Sequence, residues 1–352
     1  AVKKGILAAK PDAEVVVNPL ADGGEGTVDA LIEGLGAKKI PVTVTGPLGE
    51  KVSCYYGFLE ETKTAVMEMA SAAGITLVTK KDPLRASTYG VGEMIADALK
   101  RGCKNFMIGI GGSATNDGGI GMLKALGFEF FDEDGNDVGE GAVALVKIEV
   151  IRTENKNPLL SGAKFQIACD VKNPLCGKQG ATYIFGPQKG VTEEQKEQVD
   201  EAMRHYADVT KESLDCDFAD CEGAGAAGGL GYAFLSYLAG ELIPGVELIL
   251  QATGLEEKMK NADVVVTGEG RLDAQTVMGK APVGVAALAK KYNAKVIAFA
   301  GSVAPEASVC NQAGIDAFFP IVRGVTTLEE AMKKENAMEN IAATAEQVFR
   351  LL

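Results

Sequence analysis

Carboxylates recur beside glycines at the ends of short apolar runs in this chain, and that pairing is its most chemically capable feature. The fullest instance is Asp263-Val-Val-Val-Thr267 running into Gly268-Glu269-Gly270-Arg271-Leu272-Asp273, with Lys280-Ala-Pro282 opening an apolar, alanine-rich segment soon after. A β-branched apolar run reads as a buried parallel strand. Its charged sequel therefore falls at the carboxyl edge of a sheet, where open α/β folds take their ligands. Acids and bases gathered in one such turn exceed what packing needs, because unpaired charge beside a sheet is costly. The plainer alternative is an ordinary strand-to-helix loop with a solvated salt bridge.

The same design recurs. Glu14–Asn18 reads as a strand and is followed by Asp22-Gly23-Gly24-Glu25-Gly26. Asn105–Ile110 empties into Gly111-Gly112-Ser113-Ala114-Thr115-Asn116-Asp117-Gly118-Gly119. Phe165–Val171 carries Asp170 at its end, with Asn173 just beyond, but lacks the glycines. Glycine lets backbone N–H groups approach an anion closely. Carboxylates in such a place hold Mg²⁺ or take a proton from a hydroxyl. Arg271, Lys280 and Lys178 are cations able to neutralise phosphate or carboxylate. Anion cradle, metal ligands, base and cations are what phosphoryl transfer requires.

Several other chemistries are excluded. No Gly-x-x-x-x-Gly-Lys-Ser/Thr segment and no protein-kinase motif set occurs. His205 is the single histidine and sits in a charged helical stretch, so histidine-rich metal sites, and any serine or cysteine mechanism that uses a second histidine, have no material. A general base is then a carboxylate or a lysine. Gly223-Ala-Gly225-Ala-Ala-Gly228 matches a dinucleotide-binding pattern literally, but no strand precedes it, and a glycine-rich packing or hinge segment is the better reading. Asp132–Asp137 resembles half a calcium loop without its distal glutamate and reads as a hairpin turn.

The elements that position these residues follow from periodicity. Lys3–Lys10 reads as a helix, and Val28–Leu35 as another, ended by Gly36. From Ile40 the texture changes to antiparallel strands at Pro41–Thr45, Val52–Tyr56 and Thr64–Glu68. Ser87–Gly102 and Ile120–Leu126 read as helices, and Thr192-Glu-Glu-Gln195 as a capping box. After Ala262, strands at Asp263–Thr267, Lys295–Gly301 and Asp316–Ile321 alternate with helices, the last capped by Thr327 and running to Leu352. The two ends share one texture and the middle another. The expectation is one α/β domain of residues 1–40 and 255–352, interrupted by an inserted mixed α/β domain of residues 41–254. The ends supply four strands on this reading, and a fifth is expected before Ala1.

Composition agrees with a globular protein: 352 residues, 47% apolar and 24% charged. A net charge of −13 and 6% aromatic content argue against nucleic acid or an anionic membrane as partner. No apolar run reaches the roughly 20 residues of a membrane span. Seven scattered cysteines without a Cys-x-x-Cys spacing point to reduced thiols in a cytoplasmic protein. A homo-oligomer is compatible with all of this.

Four stretches together resemble the bacterial glycerate kinases of the first type: Pro19–Thr27, Gly111–Gly119, Cys169–Leu175, and Gly268–Thr276 with Gly279–Gly284. The resemblance covers essentially the whole chain. It implies ATP-dependent phosphorylation of D-glycerate at the 2-hydroxyl. It also implies a flavodoxin-like domain interrupted by one similar to the restriction-endonuclease fold. Family members begin with a strand and an Ala-Pro-Asp-Ser-Phe-Lys-like loop, so the resemblance further implies an N-terminally truncated chain whose first strand is missing. The expected site lies between the domains, where Asp22, Asp117, Asp170, Glu269 and Asp273 converge. Asp170, Asp22 and Asp273 are the catalytic candidates, Asp170 first as base, with a turn-capping role for it left open. Asp117, Glu269 and Glu25 are the candidate Mg²⁺ ligands. Arg271, Lys280, Asn173, Gly23, Gly24 and the Gly111–Asn116 loop (Gly111, Gly112, Ser113, Thr115, Asn116) are the candidates for substrate and phosphate. The competing functions are a kinase or phosphatase for another small hydroxy acid, and an inactive protein that binds a small anion.

Overall fold

The computed structural model describes residues 1–18, 20, 28, 29, 32, 36–277 and 280–352. The chain divides into two compact units, one of residues 1–22 with 249–352 and one of residues 23–248. It is a mixed α/β protein with parallel strand pairing in both.

Helix α1 (Val2–Ala9) opens the chain, and the continuous unit follows. Its sheet begins as an antiparallel meander of β1 (Lys38–Thr45), β2 (Lys51–Leu59) and β3 (Thr64–Glu68). Helix α2 (Tyr89–Lys100) then leads to β4 (Asn105–Gly109), which pairs parallel with β3. Past helix α3 (Ile120–Ala125), β5 (Glu129–Phe131) and β6 (Val150–Arg152) form a separate antiparallel pair around the Asp132 turn. Strand β7 (Lys164–Ala168) adds parallel to β4. Helices α4 (Ala181–Lys189), α5 (Glu193–Leu214) and α6 (Leu230–Leu238) come next, and β8 (Glu241–Ile243) closes the order β1-β2-β3-β4-β7-β8. The carboxyl ends of β3, β4, β7 and β8 thus share one edge. The capping box at Thr192 and Gln195 forms as expected and starts the longest helix of the unit. One apolar core, with Tyr56, Met94, Phe106, Ile108, Tyr206 and Phe234 at its centre, holds these layers together.

Helix α7 (Gly245–Ala252) carries the chain into the discontinuous unit. There β9 (Val264–Leu272), helix α8 (Ala281–Lys290), β10 (Lys295–Val303) and β11 (Ala317–Pro320) form a parallel sheet in the order β11-β10-β9. Pro282 occupies the first turn of α8, as a helix start favours. Helix α9 (Lys334–Leu351) packs against α1, where a side chain at Gly5 would meet the Ala342 carbonyl at 2.1 Å.

Three expectations need correction. Glu14–Asn18 forms no strand: Val15 joins the core beside Ile297 and Phe299, but Val16 and Val17 are 59% and 65% exposed with no ladder partner among the described residues. The discontinuous unit accordingly shows three strands among its described residues, not four. Strand β9 does not stop at Thr267 but continues to Leu272, paired with β10 as far as Leu272 opposite Val303. Finally, the segment capped by Thr327 ends at Met332, Lys333 is extended, and α9 starts afresh. Most of the helix expected at Val28–Leu35 lies outside the described residues.

Candidate active site

In the discontinuous unit the longer β9 changes how its charges are held. Strand alternation puts Glu269 and Arg271 on one face of the sheet, at the carboxyl end of the strand. Glu269 is only 17% exposed; its carboxylate accepts a hydrogen bond from the buried Thr276 hydroxyl and lies 3.4 Å from the Lys280 ammonium. Asp273 accepts the Gln275 N–H at 2.9 Å, and its own N–H donates to Thr276 Oγ1 at 3.2 Å, an Asx turn that fixes the descent from β9. Arg271 lies 3.7 Å from Asp273 and is 66% exposed. At that exposure the pair adds little to stability, so the guanidinium is available to an anion. Glu269, Arg271, Asp273 and Lys280 are therefore brought together, with Thr276 as the connecting hydroxyl. Thr276 was not singled out by sequence reasoning, although its place three residues past Asp273 is the spacing of a capped turn.

In the continuous unit, β4 and β7 are neighbours, so the Gly111–Asn116 loop and the Asp170–Asn173 segment leave adjacent strands at the same edge. Asp170 is exposed, and its Oδ1 accepts the Gly245 N–H at 2.8 Å at the start of α7. Asp170 thus caps a helix start 75 residues further along the chain, a different place from the following turn that the sequence suggested for it. Asn173 donates to the Gln179 carbonyl at 2.7 Å and accepts the Gly225 N–H on its own carbonyl at 3.0 Å. Gly111 and Gly112 are exposed, Gly112 with φ +73, whereas Ser113, Thr115 and Asn116 are buried. The loop is held on several sides: Gly112 O accepts Ile75 N–H at 2.8 Å, Ala114 N–H donates to Ala73 O at 2.9 Å, and Asn116 Nδ2 donates to Thr182 Oγ1 at 3.0 Å. Thr115 Oγ1 and Asn116 Oδ1 are buried without a hydrogen-bond partner among the described residues.

Asp117, expected from the sequence as a metal ligand, has its carboxylate engaged by four donors of the protein itself. It is fully buried, and its carboxylate accepts the Thr88 N–H and hydroxyl, both at 2.8 Å, and the Gly119 and Gly121 N–H groups at 3.2 and 3.3 Å. Those donors cap α3 and tie it to the start of α2. Burial raises its pKa above the ordinary carboxylate value, with the Thr88, Gly119 and Gly121 bonds opposing the shift. Lys189 is likewise buried, at 2% exposure, and donates to the Thr115 carbonyl at 2.7 Å. Burial pushes its pKa down to about 7, with the Asp117 charge opposing. Nothing in its local sequence, Pro187-Gln-Lys189-Gly190, distinguishes it from a surface lysine.

Asp22, Gly23, Gly24 and Glu25 lie outside the described residues. Among the described residues no helix is long and apolar enough to cross a membrane.

The geometry, two carboxyl edges bearing carboxylates, amides and cations, can be set beside known proteins. The family model for the glycerate kinase family matches residues 1–352. The chain is 45% identical over 350 residues to a glycerate kinase of Bacillus subtilis, spanning 99% of this chain and 91% of that protein. It is 46% identical over 351 residues to the glycerate 2-kinase of Escherichia coli, spanning 98% and 92%. It is also similar to a crystal structure from Salmonella typhimurium LT2 described as a candidate glycerate kinase 2, with a TM-score of 0.91 and 43% identity over 99% of this chain and 92% of that one. With its motifs, its mixed α/β architecture and a match along its whole length in agreement, the chain belongs to the glycerate kinase family.

Proposed function

We propose that the protein transfers the γ-phosphoryl group of ATP to D-glycerate, at the 2-hydroxyl. The observation that carries this is the Glu269–Thr276–Lys280 cluster with Arg271 and Asp273 at the end of β9, on a chain matched throughout by the family model. Arg271 and Lys280 suit the glycerate carboxylate or a phosphate. Glu269 and Asp273 are the described carboxylates of this cluster that could contribute to a Mg²⁺ site, since that ion ordinarily keeps water and takes phosphate oxygens besides one or two carboxylates. Bound Mg²⁺ would neutralise phosphate charge there.

Asp170 is the proposed general base: it is exposed and oriented by the Gly245 N–H at the carboxyl edge of the sheet. Asp22, Gly23, Gly24 and Glu25 remain candidates from sequence for substrate and metal. The Gly111–Ser113 backbone, exposed at its two glycines, is the proposed phosphate contact. We also infer a flavodoxin-like domain interrupted by a restriction-endonuclease-like insertion. The parallel sheet in the unit formed from both ends of the chain, and the mixed sheet in the continuous unit, support that reading.

A coupled assay of ADP release with Mg-ATP and D-glycerate tests the activity, and phosphorus NMR of the product tests the position. Turnover of another small hydroxy acid with none of D-glycerate would replace the substrate. Binding without any turnover would replace the reaction.

A further inference from the structure

We infer that helix α4 (Ala181–Lys189) is a brace that sets the shape of the Gly111–Asn116 loop, with Lys189 a positioning residue for the phosphate-bearing ligand of that loop. The second clause rests on the proposed function; the first does not.

Two side chains of the one helix reach the loop. Lys189 Nζ donates to Thr115 O at 2.7 Å, and Thr182 Oγ1 accepts Asn116 Nδ2 at 3.0 Å. They stand near opposite ends of α4, so the bonds fix both position and rotation of the strip between them. A trans peptide is planar, with its C=O and N–H pointing opposite ways. Drawing Thr115 O towards Lys189 therefore turns the Asn116 N–H away from it. Gly228 completes the seat: it adopts φ +70, its carbonyl accepts the Gly118 N–H at 2.9 Å, and a Cβ there would stand 2.2 Å from Thr115 O.

The amino end of the same helix is stitched to the neighbouring loop. Ala181 N–H donates to Leu175 O at 3.0 Å, and Gln179 O, just before the helix, accepts Asn173 Nδ2 at 2.7 Å. The helix thus ties together the loops leaving β4 and β7. Burying a lysine to hold one carbonyl is expensive, which marks the contact as more than packing.

The test uses the full chain. Lys189→Met keeps an unbranched side chain and removes the donor and charge. Hydrogen–deuterium exchange of peptides covering residues 110–118 should rise at least threefold over wild type while β1–β3 stay protected. The KM for ATP should rise at least tenfold, with the KM for D-glycerate within twofold of wild type. Loop exchange equal to wild type overturns the brace, and unchanged KM for ATP, or equal changes in both KM values, overturns the positioning role. Should Lys189→Met fail to fold, Thr182→Val decides in its place: a threefold rise in loop exchange and in KM for ATP supports the inference, and wild-type values of both overturn it. A wild-type protein inert towards Mg-ATP and D-glycerate would refute the proposed function, and the exchange measurement would still decide the brace.

Discussion

Replacing Asp117 separates a buried cap from a metal ligand, and the structure fixes what each predicts. Asp117→Ala orphans the Thr88, Gly119 and Gly121 N–H groups in a fully buried place. An orphaned buried donor costs about 1–3 kcal/mol. With the Thr88 hydroxyl counted beside the three N–H groups, about 1 kcal/mol for each of the four donors gives a loss of about 4 kcal/mol. That is a large part of the roughly 5–15 kcal/mol typical of a folded domain. Asp117→Asn should cost less, about 2 kcal/mol: its amide can turn its NH2 towards Gly119 and keep an acceptor for the Thr88 and Gly121 groups. Urea unfolding followed by tyrosine fluorescence reads this cleanly, because tryptophan is absent and, of eight tyrosines, only Tyr292 lies outside residues 55–237. A metal ligand behaves in the opposite manner, its removal weakening Mg²⁺ dependence while relieving a buried charge. An Asp117→Ala protein within 1 kcal/mol of wild type would refute the cap, and one more stable than wild type would restore the ligand reading.

Glu269→Gln should reduce turnover at least a hundredfold while unfolding within about 1 kcal/mol of wild type, since the Thr276 hydroxyl keeps an acceptor; steady-state kinetics beside a urea melt checks both. Asp170→Asn retains a cap for Gly245 but no base, so kcat should fall at least a hundredfold with little change in Tm, and near-wild-type turnover would remove Asp170 as base. The Lys189 pKa of about 7 against an ordinary 10.5 means that the unfolded chain binds more protons between those values, so stability should rise with pH across that window by up to about 1.4 kcal/mol per unit. Urea melts at pH 7, 8 and 9 should show that slope in wild type and lose it in Lys189→Met. Gly228→Ala should lower stability by about 2–3 kcal/mol, because both its φ and the approach to Thr115 O exclude a side chain.

Much of the frame was legible because it rests on local rules. The antiparallel opening of the continuous unit, the strand before Gly111, the capping box at Thr192 and the Pro282 helix start each follow from periodicity or a terminal signal. The misreadings have physical reasons as well. Gly268 looks like the end of a strand, but a Cβ there would meet the Phe299 carbonyl at 2.4 Å. The glycine therefore marks two strands in close contact, and β9 runs on through it. Glu14–Asn18 has strand composition, yet composition supplies no neighbour to pair with, and the valines divide between core and solvent. Lys333 breaks the last helical stretch without any glycine or proline to announce it.

The acids show most clearly where sequence stops and structure begins. In Asp117-Gly-Gly and Gly-Glu269-Gly a carboxylate stands beside glycine after an apolar strand, and the two read alike. In the fold the amides past Asp117 turn back onto its own oxygens, so its glycines serve the carboxylate itself. Around Glu269 the glycines lie within a strand, and the carboxylate meets a hydroxyl and an ammonium at the sheet's carboxyl end. Whether a glycine's freedom goes to closing a turn on its neighbour or to letting a strand pack closely depends on the next element's position, which no local pattern encodes. The same reasoning explains Lys189, whose partner carbonyl is 74 residues away along the chain. Its burial is a property of the packed loops, and only the assembled edge of β4 and β7 shows that a lone lysine before a helix-ending glycine faces inward.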